Sequence, residues 1–249
     1  MAYPPRNIAC YPRAVSAIAE KTKDQGLTAG SNLRAAVFGV SDGLVSNTSL
    51  IMGVSGAITD ARTILITGAA GLLAGALSMA AGEYVSVTSQ RELFEKQIAK
   101  EREELQSRPK EEVDELARIY HRRGVPLDVA CRISKALSKD LKVALETHAR
   151  EELGLDPHDL GSPLGAAISS FVSFAIGALV PLLPFIFGAG RNAFAVAVGL
   201  AAISLVVVGV SAAALTGQDR LRGGVRLLVV GGGAGIVAYL IGRLLGVSI

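Results

Sequence analysis

The sequence feature that most constrains the fold is the stretch at residues 72–107, LLAGALSMAAGEYVSVTSQRELFEKQIAKEREELQS. It is uncharged as far as Gly82 and rich in small residues, which is typical of helices that pack closely inside a membrane. From Arg91 onward it is as charged as the surface of a soluble protein, and no Gly or Pro between Gly82 and Pro109 forces a break. We therefore predict one helix that leaves the membrane and continues into water.

The apolar residues of the chain are gathered into blocks. Hydrophobic residues make up 50% of the sequence, which is high for an ordinary soluble domain of this length. Five blocks are almost free of charge and reach or approach the roughly 20 residues that span a bilayer: 33–58, 63–82, 160–190, 192–218 and 227–242. The fold class predicted is an all-α integral membrane protein with five transmembrane helices.

Charge is concentrated in one region between the second and third apolar blocks. Residues 89–160 hold 16 of the 22 acidic residues, 14 of the 25 Lys and Arg residues and all three His. The net charge of +3 comes from residues flanking the spans, so it does not indicate nucleic-acid binding. We predict a tail at 1–30, transmembrane helices one and two at 31–89, a soluble three-helix insert at 90–160, and transmembrane helices three to five at 161–249.

The distribution of basic residues predicts the orientation in the membrane. Basic residues precede span one, crowd the insert and follow span four, so the positive-inside rule places the N-terminus and the insert in the cytosol. The sequence shows no transit peptide or sorting tail. We therefore expect a multi-pass protein of a prokaryotic inner (plasma) membrane rather than of a vacuolar membrane.

Polar residues within the first two spans are candidates for an ion path. Asp42 is the only charged residue between Arg34 and Asp60, at a cost of about 2.5–3.5 kcal/mol in mid-membrane, and Asn47 follows within two turns. Met79 and Glu83 share one face of span two, where a thioether and a carboxylate suit a borderline divalent metal. The alternatives are that Asp42 pairs with a polar group or backbone of another span, that Met79 only contributes to apolar helix packing, and that Glu83 lies at the membrane interface.

The insert carries three pairs of candidate metal ligands. It is predicted to form three helices, ending at Ser107 and covering 110–123 and 127–153, because Pro109 and Pro126 interrupt it. Each pair lies on one helix face, and a fold-back at Pro109 would bring four carboxylates together, which is tolerable only around a cation. The alternative is a solvated, salt-bridged surface. The pairs are Glu101 with Glu104, Glu112 with Glu115, and His148 with Glu152.

No residue pattern indicates an enzyme or a bound cofactor. The sequence VVGGGAGIV is glycine-rich, but it misses the G-x-G-x-x-G spacing of a dinucleotide loop and lies inside a span. No Ser/His/Asp or Cys/His set suggests a catalytic nucleophile. We predict a protein without enzymatic activity.

Three motifs resemble the vacuolar iron transporter family over residues 30–249. They are SDGLVSN in span one, GALSMAAGEYVSVTSQ through span two, and the two E-x-x-E pairs at Glu101 and Glu112. The resemblance implies a homodimer of five-span subunits, with an ion path between the two copies of span one. It also implies exchange of cytosolic Fe²⁺, or Mn²⁺ in some members, for protons, and a cytosolic helical domain that collects metal.

The resemblance assigns roles to individual positions. Asp42 and Met79 match residues that line the membrane path, and the four Glu of the two E-x-x-E pairs match the carboxylates of the domain. The third helix departs from the family, which has Met-Met-x-x-Glu where this chain has HAREE. His148 replaces a thioether, while Glu152 is kept. If His148 is a ligand, metal binding weakens as the pH falls through about 6.

The sequence therefore favours a proton-coupled exporter of Fe²⁺ from the cytosol, with Mn²⁺ or Zn²⁺ as alternative bound ions. Moving two positive charges outward against 100 mV costs about 4.6 kcal/mol, so export needs coupling. The alternative is a membrane-anchored metal sensor or scaffold whose spans carry nothing. A homodimer is expected, with Gly39 and Gly43 allowing close helix approach in span one.

Overall fold

The computed structural model describes residues 27–188 and 192–247, and these residues form helices and connecting turns without a strand. The predicted N-terminal tail lies outside the described residues up to position 26. The α-helices are α1 Leu27–Ala57, α2 Ala61–Ser107, α3 Pro109–Arg122, α4 Leu127–Leu137, α5 Leu141–Glu151, α6 Pro163–Leu179, α7 Leu183–Ile186, α8 Ala193–Leu215 and α9 Arg220–Val247.

Among the described residues, five helical segments are long and apolar enough to cross a membrane, which confirms the predicted number of spans. They are Ala35–Ala57, Ala61–Ser107, Pro163–Ile186, Ala193–Leu215 and Arg220–Gly246. The second is the unbroken 47-residue helix α2, as expected from the lack of Gly and Pro after Gly82. Span three includes α6, a 3₁₀ turn at Val180–Leu182 and α7. Pro181 causes the turn because it has no N–H to continue the helix.

The chain folds into two compact units. One, called here the insert unit, contains residues 88–161, and the other, the membrane unit, contains residues 29–87 and 162–247. In the membrane unit, α1 packs closely on α6, because a Cβ atom at Gly43 would overlap the backbone of Phe174 and one at Gly177 the backbone of Val40. Gly43 thus serves close helix packing within the chain.

The insert unit differs from the prediction in its last helix. Residues 127–153 form two helices, α4 and α5, instead of one. The break follows from Asp140, whose side chain caps α5 by accepting the N–H groups of Lys142 at 2.8 Å and Val143 at 3.4 Å. Asp favours this local bond over a place inside a helix. The prediction of one continuous helix was therefore wrong.

Two small apolar clusters hold these helices together. Ala117 of α3 packs with Ala130 and Cys131 of α4, and Leu105 of α2 packs with Ala144 and Leu145 of α5. The alanines among them, Ala117, Ala130 and Ala144, let the helices approach closely. The same faces of α2, α3 and α5 carry the buried polar residues described next.

Candidate metal centre

Four predicted ligands of the insert converge on one point. Glu101 lies on α2, Glu112 in the first turn of α3, His148 on α5, and Glu152 at the C-cap of α5. Each offers one ligand atom within 4.8 Å of the others. The Nδ1 atom of His148 lies 2.9 Å from Oε1 of Glu101, 3.4 Å from Oε2 of Glu152 and 3.7 Å from Oε2 of Glu112.

These groups are not a solvated surface. His148 is fully buried, and Glu101 and Glu112 are 3% and 7% exposed, while Glu152 opens toward solvent. Although Oε1 of Glu101 is close to His148, the two are not aligned as a hydrogen bond, and among the described residues this oxygen has no donor. A buried carboxylate oxygen without a donor is costly unless a cation or proton compensates it.

The electrostatics of the cluster keep protons on it near neutral pH. Burial, followed by the charges of Glu101 and Glu115, raises the pKa of Glu112 to about 7. Burial and the charge of Glu101 likewise raise the pKa of Glu152. Burial alone would lower the pKa of His148, but the neighbouring carboxylates, Glu101 first, outweigh it and raise that pKa. The raised pKa values of the two glutamates thus reflect burial first and neighbouring negative charge second, whereas that of His148 reflects the carboxylates around it.

The donor set suits a divalent cation of intermediate hardness. Ligand atoms bound at about 2.1 Å to one ion lie roughly 3.0–3.4 Å apart, close to the distances found around His148. Carboxylates suit Mn²⁺ and Fe²⁺, and an imidazole also suits Fe²⁺ and Zn²⁺. Small side-chain movements would therefore place an ion between the four groups.

The structure leaves Glu104 and Glu115 outside this four-residue cluster. Both are half-buried, one turn along their helices from Glu101 and Glu112. Oε1 of Glu104 lies 3.2 Å from Nζ of Lys100. The charges of Glu104 and Glu115 contribute to the raised pKa of Glu112, so both carboxylates lie at the edge of the cluster.

One contact near the cluster was not predicted from the sequence. Arg123, just after α3, forms an ion pair with the carboxylate of Glu151 and donates a second hydrogen bond to the Glu151 carbonyl at 3.0 Å. The pair joins the end of α3 to the residue before Glu152. The two residues are 28 positions apart, and no local pattern in the sequence links them.

The membrane unit contains a second set of predicted residues around one cavity. Asp42 and Asn47 of α1 and Met79 of α2 line a cavity of about 300 Å³. Ser46, also in its lining, donates a hydrogen bond of 3.0 Å to Oδ1 of Asp42. Ser46 follows Asp42 by one turn, so the helical spacing in the sequence could have identified this contact.

Asn47 is held in place by a backbone carbonyl of span three. Its Nδ2 donates to the carbonyl of Ala178 at 2.6 Å, close to the 3₁₀ turn of span three. Its Oδ1 has no donor among the described residues, although the side chain is only 2% exposed. The amide is therefore fixed with its oxygen free to accept a hydrogen bond or to bind a cation.

Glu83 is not part of the cavity lining. It lies on α2, one turn beyond Met79, and is half-buried. The structure thus brings Asp42, Asn47 and Met79 together and places Glu83 farther along the same helix.

Comparison with known proteins supports the resemblance seen in the motifs. A model described as the VIT family matches residues 33–243. The Vacuolar iron transporter of Acanthamoeba castellanii (strain ATCC 30010 / Neff) is 38% identical over 224 residues, 90% of this chain and 81% of the relative. The VIT-like transporter 1b of Glycine max is 36% identical over 217 residues, 87% of this chain and 77% of the relative.

A rice relative extends the comparison. The Vacuolar iron transporter 1 of Oryza sativa subsp. japonica is 30% identical over 217 residues, 87% of this chain and 86% of the relative. Members of this family are transporters, which confirms the prediction that the chain is not an enzyme. The family model covers most of the sequence and the relatives are matched along most of their lengths, and the chain therefore belongs to the VIT family.

Proposed function

We propose that the protein exports Fe²⁺ from the cytosol in exchange for protons, with Mn²⁺ as a second cargo. The observation that carries this proposal is the cavity of the membrane unit, where Asp42, Asn47 and Met79 meet. A carboxylate, an amide oxygen and a thioether are suitable ligands for a divalent transition metal. The names of the relatives, which are iron transporters, support iron as the cargo.

Proton coupling is supported by the energy that export requires. Two positive charges leaving the cell against 100 mV need about 4.6 kcal/mol, which a passive path does not supply. Asp42 is the only carboxylate lining the cavity among the described residues, so one group binds either the metal or a proton. Exchange of metal for proton at this carboxylate couples the outward movement of the metal to the inward movement of protons.

The insert unit is proposed to collect metal from the cytosol. Glu101, Glu112, His148 and Glu152 form the binding site, and the pKa of Glu112 near 7 means that the metal displaces a proton on binding. Glu104 and Glu115, at the edge of the cluster, are proposed to receive the ion first or to complete its coordination. Zn²⁺ is an alternative ion at this site because of the imidazole.

A homodimer with α1 at the shared face is also proposed. Asp42 is half-buried, and Ser46 and Ser78 of the cavity lining are exposed. Leaving a carboxylate at a lipid-facing opening is costly, so a second copy over the opening would stabilise it. Gly39 and Gly43 do not serve this purpose, because both pack against α6 of the same chain.

Cross-linking tests the dimer. A cysteine placed at the exposed position of Ser46 on α1 should cross-link between subunits, and one at the buried position of Gly43 should not. A lack of cross-linking at Ser46, in a protein that still transports, would place the path inside a single subunit.

The cytosolic placement of the N-terminus and of the insert is proposed from the positive-inside rule. A prokaryotic plasma membrane is proposed as the location. Labelling of single cysteines in intact cells tests the orientation, with one cysteine in the insert and one after α9. An insert that is accessible from outside the cell would reverse the proposed direction of export.

Flux through the reconstituted protein tests the function directly. Proteoliposomes should take up Fe²⁺ and Mn²⁺, but not Ca²⁺, when a pH gradient drives protons the other way. Uptake should fall when the gradient is dissipated by an ionophore. Metal binding without any flux under these conditions would instead favour a membrane-anchored sensor or scaffold.

A further inference from the structure

A groove on another face of α1 is separate from the proposed ion path. It is lined by α1, α8 and α9 and has a volume of about 580 Å³. Its walls are formed mainly by apolar side chains and glycines, including Phe38, Leu215 and Val230, each of which is 60–62% exposed. The groove is therefore open along the side of the membrane unit, where it can accept an elongated apolar group.

The hydroxyl groups in the lining do not make the groove polar. Ser41 donates to the carbonyl of Val37 at 2.8 Å, and Thr216 donates to the carbonyl of Ala212 at 3.0 Å. Because both hydroxyls bond within their own helices, neither needs a partner in the groove. The one charged side chain among the described residues of the lining is Arg226.

Arg226 belongs to a group of three arginines at the start of α9. Arg220, Arg222 and Arg226 have no carboxylate partner in the described part of the chain. The acidic residue next to them, Asp219, uses Oδ1 to accept the N–H of Arg222 at 2.8 Å. The start of α9 therefore carries three positive charges against one negative charge, an excess of positive charge.

Arg226 lies near the first end of α9, the last candidate span. It lies six residues after Arg220, or about 9 Å farther along the helix axis. An arginine near the end of a span can keep its guanidinium in the polar zone of a bilayer while its stem contacts apolar groups. Leu227 and Val230 continue the same groove toward the membrane interior.

We propose that this groove binds an anionic glycerophospholipid, with an acyl chain along α1, α8 and α9 and the phosphate bound by Arg226. The fork of a guanidinium binds phosphate oxygens through two parallel hydrogen bonds. Basic pockets between membrane helices are suited to such head groups.

The membrane unit of a second copy is a poorer match for the groove. Residues 29–87 and 162–249 contain seven arginines and only four acidic residues, Asp42, Asp60, Glu83 and Asp219. Asp42 lines the ion-path cavity, where Ser46 donates to it, and Asp60 accepts bonds from Thr63. A lipid phosphate supplies the missing negative charge without requiring a carboxylate from another subunit.

Lipid retention by the full-length protein tests the proposal. Delipidated protein is given dioleoyl phosphatidylglycerol or dioleoyl phosphatidylcholine, and the bound lipid is counted by native mass spectrometry. We expect one phosphatidylglycerol per chain, held about tenfold more strongly than phosphatidylcholine. Equal retention of the two lipids would overturn the proposal.

Two variants test the charge of Arg226 and the space in the groove separately, and a third variant is the matched control. Arg226→Gln should reduce phosphatidylglycerol retention about tenfold, to the level of phosphatidylcholine. Ala212→Phe, which fills the groove and leaves Arg226 in place, should reduce retention of both lipids. Arg243→Gln, at the other end of α9, should change neither, and wild-type retention by either test variant would overturn the proposal.

A cysteine in the groove detects the competing occupant. Val230→Cys should stay uncross-linked under oxidising conditions in vesicles that contain phosphatidylglycerol, with the parent chain as the reference. Efficient disulfide formation between two copies would show that protein covers the groove, and would overturn the lipid assignment.

Discussion

The insert unit and the membrane unit offer a divalent cation very different surroundings. In the insert unit, three carboxylates and an imidazole, mostly buried, surround one point. In the membrane unit, one carboxylate, one amide and one thioether are spread around a cavity of about 300 Å³. A site that must release its ion benefits from few ligands, whereas a site that captures a scarce ion benefits from many. The comparison suggests that capture and passage are divided between the two units.

The largest expected effect comes from Asp42→Asn. The amide keeps the size of the side chain but removes the negative charge and the exchangeable proton, so transport in proteoliposomes should be abolished. Metal binding by the insert, measured by calorimetry on the same full-length protein, should be unchanged. Transport at the wild-type rate would remove Asp42 from the mechanism and end the proposed division of roles.

The second largest effect is expected from a substitution in the insert unit, which tests metal binding there separately from transport through the membrane unit. Glu101→Gln removes a ligand from the buried cluster, and the affinity for Fe²⁺ in calorimetry should fall about 100-fold, roughly 2.7 kcal/mol. Glu103→Gln, an exposed neighbour on the same helix, is the control and should bind normally. Equal effects of the two substitutions would mean that the cluster acts only through its overall charge.

The replacement of a thioether by His148 should be visible as a change in pH dependence. His148→Met restores the sulfur expected from the family resemblance, and should lower affinity for Mn²⁺ about tenfold because sulfur is a poor ligand for a hard ion. The pH dependence of binding between pH 6 and 8 should also become flatter. An unchanged affinity and pH profile would indicate a site built only from carboxylates.

The raised pKa values predict how the stability of the metal-free protein changes with pH. Glu112 titrates near 7 in the folded state and near 4.5 as an ordinary carboxyl, so the folded state binds more protons between these values. Stability from this group is therefore lost as the pH rises from about 4.5 through 7, and His148, with its raised pKa, acts in the same direction.

Thermal melting of the chelator-treated protein provides the measurement. The midpoint should be lower at pH 8 than at pH 5.5, and Mn²⁺ should raise it more at pH 8. Glu112→Gln should reduce the difference between the two pH values. A metal-free midpoint that increases with pH would contradict the assigned protonation of the cluster.

The smallest expected effect concerns the edge of the cluster. Glu115→Gln should weaken binding by the insert only about threefold, because this carboxylate lies outside the four converging groups. Glu111→Gln, exposed on the same helix, is the control. A loss as large as that of Glu101→Gln would make Glu115 a direct ligand.

Much of the fold was predictable because the sequence separates apolar and charged blocks so clearly. The five spans follow from uncharged stretches, and α2 follows from the absence of Gly and Pro after Gly82. The break at Ser138–Asp140 was missed because the capping bonds of Asp140 compete with helix continuation, and an uninterrupted helical pattern does not reveal this competition.

The candidate site was predictable in its residue types but less so in its geometry. Helical spacing pairs His148 with Glu152, and the Pro109 turn brings Glu101 and Glu112 near each other. Which carboxylates face inward depends on how α2, α3 and α5 pack, and this separates Glu101 from Glu104 although both belong to one motif. The Arg123–Glu151 pair likewise depends on tertiary packing.

The bond between Asn47 and the Ala178 carbonyl has a consequence for how the protein is made. The two residues are separated by 131 positions, so the partner of Asn47 is synthesised long after α1. At about 5–20 residues per second, the delay is roughly 7–26 s. During that time the first span carries a buried amide whose hydrogen-bond partner does not yet exist. We expect nascent chains that stop before α6 to leave the first span weakly inserted and exposed to quality-control proteases.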